Sequence, residues 1–66
     1  MRTDHTALIA DLRALKAVDF TAAADLLELH DRTGLNLHEA PGLLAFVEDR
    51  LKSLHGVPIK VRPNYV

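Results

Sequence analysis

The break at Gly56-Val57-Pro58 constrains this chain more than any other feature. Glycine just past a helix, with proline close behind, is a firm stop. Before the break, apolar residues recur at helical spacing. After it, Val57, Ile59 and Val61 alternate with Pro58, Lys60 and Arg62, the period of a half-buried extended segment. No other stretch reads as a strand. Pro58 and Pro63 cannot donate to a ladder, so any strand here is short and lies at an edge. One strand cannot satisfy its own backbone groups. It must pair with a copy of itself, pair with another protein, or drape over the helices.

The body divides into three helical segments. The first is expected to start near Thr3 or Asp4, both acceptable N-caps, and to end around Ala17 or Val18. Leu8, Leu12 and Leu15, with Ile9 beside them, form its apolar stripe. The second starts at Asp19 or Thr21, shows Ala23, Leu26, Leu27 and His30 on one face, and ends before Gly34. The third opens with Asn36 and Glu39 at capping-box spacing. Pro41 is comfortable only in a first helical turn. A short turn at 36–40 and a main helix from about 41 to 55 follow. Leu44, Val47, Leu51 and Leu54 form its stripe, widened by Leu43 and Phe46. Glu48 and Lys52 are placed for an i,i+4 ion pair. The expected fold is all-α: a small three-helix domain over residues 1–56, its first two helices antiparallel. An extended C-terminal tail or short edge strand covers 57–66.

A chain of 66 residues is one domain at most. It buries only about 60% of the surface its unfolded form exposes, so its stability is marginal. Domains of this size usually add disulfides, a metal or a partner chain. There is no cysteine, which excludes disulfides and thiolate metal sites. Arg2, Asp4, His5, Asp11 and Arg13 interrupt the first stretch, so no signal-peptide apolar run is read there, and a cytoplasmic protein is expected. No window approaches the roughly 20 apolar residues of a membrane span. Net charge is −1, which gives no global basic field toward nucleic acid. Asp19, Asp25, Glu28 and Asp31 make the middle acidic, while Lys60 and Arg62 make the tail basic.

The four histidines, His5, His30, His38 and His55, form no i,i+4 pair. A metal site would need helix ends to converge, for example His30 or His38 with His55 and a carboxylate. Structural zinc sites usually take four ligands, commonly with cysteine. No metal and no cofactor are therefore expected. His55 in a last helical turn suits the helix dipole, and His30 reads as a partly buried core residue. The single serine, Ser53, lies within a helix and no glycine-flanked serine elbow exists, so the chain is not expected to be an enzyme. Gly34, Gly42 and Gly56 are isolated and match no phosphate-binding fingerprint. A helix-turn-helix through Thr33-Gly34-Leu35 would have a recognition helix without Lys or Arg until Arg50, a poor basis for phosphate contacts.

Leucine is in surplus. Twelve leucines contribute to 23 large apolar residues, more than three helical stripes use. A contiguous exposed remainder marks an interaction surface. The expectation is a non-catalytic interaction or regulatory module that binds a protein partner, either another protein or itself as a homodimer. Leu35, Leu37, Leu43 and Phe46 would anchor the contact. Val57, Ile59 and Val61 would add an edge strand or pack across the partner, and Lys60 and Arg62 would steer toward an acidic surface. A small dimeric DNA-binding regulator is the first alternative. A histidine-based metal-binding accessory protein is the second.

Overall fold

The computed structural model describes residues 5–33 and 35–63. Three α-helices and one 3-10 turn follow in order: α1 (Thr6–Ala14), α2 (Val18–Arg32), the turn (Leu37–Glu39) and α3 (Pro41–His55). No strand occurs among the described residues. The protein is a small all-α domain with its tail laid against the helices.

Thr3 and Asp4, the expected caps of α1, lie outside the described residues. His5 stands at the N-cap position, and its backbone N–H donates to Asp31 Oδ2 at 2.6 Å. At its other end α1 stops at Ala14, earlier than Ala17. Three-residue-span bonds from Leu15 N to Leu12 O (3.4 Å) and Lys16 N to Arg13 O (3.2 Å) tighten the last turn. Lys16 then takes a left-handed φ of 55°. That conformation costs a non-glycine residue about 1–2 kcal/mol, and here it reverses the chain within Leu15–Ala17. The reversal makes α1 and α2 antiparallel: His5 meets Asp31 at one end, and Arg13 meets Asp25 at the other. Leu15, beyond the helix end, is left 45% exposed rather than in the core.

α2 begins at Val18, behind an extended Ala17 that offers no side-chain cap. Asp19 sits in the first turn, where negative charge is favoured by the helix dipole. The helix ends at Arg32, and Thr33 Oγ1 donates to Leu29 O at 2.7 Å. Gly34, the expected terminator, lies outside the described residues. Asn36 Oδ1 accepts the His38 N–H at 3.0 Å, one residue short of the capping-box partner, so the motif is an Asx turn that starts the 3-10 turn. α3 spans the expected residues. Pro41 opens it, and Gly56 closes it in the left-handed region at φ 77°, its N–H on Lys52 O at 2.8 Å.

The core takes Leu12 from α1, Ala23, Ala24 and Leu27 from α2, Val47 and Leu51 from α3, and Leu37 from the turn. Val61 of the tail completes it at 2% exposure. The two alanines let α2 approach its neighbours closely. Helical body and tail therefore share one hydrophobic core.

Candidate functional site: a tail held by histidines

The tail resolves its backbone problem without a second strand. In an extended chain the N–H and C=O of one residue point to the same edge, and those of the next residue to the opposite edge. Val61 N–H donates to Glu48 Oε2 at 3.0 Å, and Val61 C=O accepts from His38 Nε2 at 2.8 Å. Arg62 N–H donates to His5 Nε2 at 3.2 Å, and Arg62 C=O accepts from His30 Nε2 at 2.7 Å. α3 and the 3-10 turn thus serve one residue, and α1 and α2 serve the next. Four side chains do what two flanking strands do in a sheet.

These partners assign the histidine tautomers. His5 Nε2 accepts an N–H and so carries no proton; the proton sits on Nδ1, which donates to Asp31 Oδ1 at 2.7 Å. His30 is the reverse. Its Nδ1 accepts the Leu37 N–H at 3.0 Å, so Nε2 holds the proton and donates to Arg62 O. Both rings are buried, and they lie 5.8 Å apart, tilted by 58°. Asp31 grips both the backbone and the ring of His5, which fixes the ring's orientation at the mouth of α1.

His5, His30 and Asp31 also gather potential metal-ligand atoms within 4.8 Å of one another. A metal ion needs a free lone pair on each histidine. Both nitrogens of His5 and of His30 already have hydrogen-bond partners. Binding an ion would strip the Arg62 N–H or the Leu37 N–H of its acceptor, or displace the proton between His5 and Asp31. The same holds for catalysis. A carboxylate behind an imidazole is how a general base is readied, but the lone pair of His5 Nε2 is engaged by the tail. His55, named with His30 or His38 in the converging site the sequence would have needed, is not part of this group and lies 3.6 Å from Asp11.

The residues expected to anchor a partner separate into three groups. Leu37 and Val61 are buried in the core, where they hold this fold together. Phe46 and Ile59 are half-buried and packed against that core. Phe46 also lies under the Arg50 guanidinium, which stands 5.9 Å from its ring centre and 5.6 Å from that of Phe20. Leu35, Leu43 and Val57 are exposed. Lys60 extends into solvent, 3.9 Å from Glu48 Oε1. Arg62 is engaged through its backbone. Glu48 turns to the tail instead of pairing with Lys52.

Sequence reading passed over two features. It did not link the surplus of histidines to the unpaired tail, although each needed what the other offers. It also missed the corner between α1 and α2, where Val18 is 85% exposed beside an open groove of about 670 Å³ lined by Arg13, Lys16, Thr21, Ala22 and Asp25.

Three arginines of the helices, Arg13, Arg32 and Arg50, have acidic neighbours. Arg13 donates to Asp25 Oδ1 (2.9 Å) and Glu28 Oε1 (2.6 Å), and Arg32 lies 3.4 Å from Glu28 Oε2. The Arg13 hydrogen bond holds the Glu28 carboxyl below the usual glutamate range, and Glu28, then Asp25, raise the Arg13 guanidinium in return. Arg50 is paired with Asp49 and lies 3.7 Å from Asp19. Among the described residues no helix is long and apolar enough to cross a membrane. No protein-family model matches this chain, and neither a curated protein nor a solved structure matches it.

Proposed function

We propose that the protein is a small non-catalytic interaction module that binds another protein chain, a second copy of itself first among the candidates. The observation that carries this reading is apolar side chains left outside an already filled core. Leu29, Leu35 and Leu43 remain 45%, 39% and 43% exposed, and Val57 56%. Burying such surface contributes about 25 cal/mol per Å² removed from water. In a domain of this size that gain is a meaningful fraction of total stability. Leu35, Leu43 and Val57 anchor the contact, with Phe46 and Ile59 at its margin. Lys60 and Arg62 supply positive charge toward an acidic partner surface. The acid neighbours of Arg13, Arg32 and Arg50 weigh against a phosphate-binding face, which needs unengaged cations.

Mass in solution by light scattering across a dilution series tests the proposal. A mass above one chain at high concentration, falling when Leu43→Asp and Leu35→Asp are introduced together, supports it. A single-chain mass throughout, with no partner-dependent change, overturns self-association.

A further inference from the structure

The clamp around the tail reads amide groups, and amide groups carry no mark of which chain they belong to. Glu48, His38, His5 and His30 meet the N–H and C=O of Val61 and Arg62, and all four stand on elements other than the tail. The side-chain element of recognition is Val61, buried to 2% exposure. The segment that would fit this groove is therefore known, because the chain's own tail fits it. A second copy carries the same segment.

The link between body and tail is lightly anchored. Gly56, Val57 and Pro58 are exposed. A Cβ built at Gly56 would meet nothing within 4 Å, and its φ of 77° lies where glycine moves at little cost. Redirecting the chain here leaves the α3 core residues Val47 and Leu51 in place.

We propose that this groove accepts the tail of a second copy, so that two chains exchange residues 59–62 and close into a symmetric dimer. The proposal rests on the self-associating reading above and gives it a mechanism. Every clamp hydrogen bond is kept in the exchange, one full set per groove. The balance between the two forms is then set by chain entropy, which favours the single chain, and by new contacts between the linkers, which favour the pair. The two linkers pass one another in such a dimer, and Val57, 56% exposed in the single chain, gains cover there.

Isotope-filtered NMR on the unaltered chain tests the exchange. A sample is concentrated from equal parts of ¹³C-labelled and unlabelled protein, and its dimer fraction is isolated. Exchange predicts nuclear Overhauser effects between labelled Val61 methyls and the unlabelled His38 and His30 rings. It also predicts a dimer that outlives rapid dilution, because the tail must leave its groove before the chains part. A dimer in which those effects arise only within single chains overturns exchange and leaves the surface-contact reading standing. A single-chain mass at every concentration overturns both.

Discussion

His5 Nε2 accepts the backbone N–H of Arg62 at 3.2 Å, so the ring at the start of α1 holds a residue 57 positions later. The fold is closed by this bond and its three companions, not by a sheet. Their removal should be felt throughout the molecule, since Val61 belongs to the same core as Leu12 and Leu51.

His30 is the most sensitive of the four partners. Replacing it with phenylalanine keeps a ring of similar size but strands the Leu37 N–H and the Arg62 C=O. Each buried polar group left without a partner costs about 1–3 kcal/mol. His30→Phe should therefore lose roughly 2–6 kcal/mol, seen as a lower urea midpoint in far-UV circular dichroism. His38→Ala, at an exposed ring, should lose about 1 kcal/mol. Equal losses for the two would contradict the buried role assigned to His30.

Val61 and Leu43 should part company despite their similar chemistry. Val61→Ala removes two buried methyl groups and should cost about 1–2 kcal/mol. Leu43→Ala alters an exposed position and should stay within about 0.5 kcal/mol. If Leu43 matters to binding, its variant shows the change in self-association, and not in the melting of dilute protein.

How much of this was legible depends on how local the cause was. α3 could be bounded from sequence because Pro41 and Gly56 act within their own helical turns. The end of α1 could not. Its alanine and leucine periodicity runs on to Ala17, while the stop is imposed by the left-handed Lys16 and the reversal that brings Arg13 to Asp25. The alternation of Ile59 and Val61 announced a covered face. What covers the edges of that segment was invisible, because the partners lie 13, 23, 32 and 57 residues away. Leu37 looked like surplus for the same reason, since it shares the core with Val61 from the far end of the chain.

The outer face of α1 and α2 should show its own pH dependence. Glu28 is held below the usual glutamate range, first by its hydrogen bond to Arg13. A carboxyl lowered in the folded state stabilises the fold above its unfolded-state value, and that contribution is lost as pH falls through the lowered value. A side-chain NMR titration should place Glu28 below the usual glutamate range. Arg13→Gln should move it upward, as should high salt in the parent chain, since exposed pairs are screened. A midpoint that does not respond to Arg13→Gln would remove the pair as the cause.

Zinc should not stabilise this protein. A specific ion raises stability in proportion to RT ln(1 + [L]/Kd). At His5, His30 and Asp31 that gain must first offset the broken clamp. Thermal melts with zinc at many times the protein concentration should coincide with metal-free melts. An upward shift lost in Asp31→Asn would show that the ion displaces the hydrogen bonds.

The clamp also dictates which mutations the C-terminal end can absorb over time. Because partners grip the amides of positions 61 and 62, the outward side chain at 62 can drift among nearly all amino acids without loosening the grip. Imino acids are the exception, having no hydrogen to give. Pro63 stands directly after that forbidden pair, and Pro58 three residues before it.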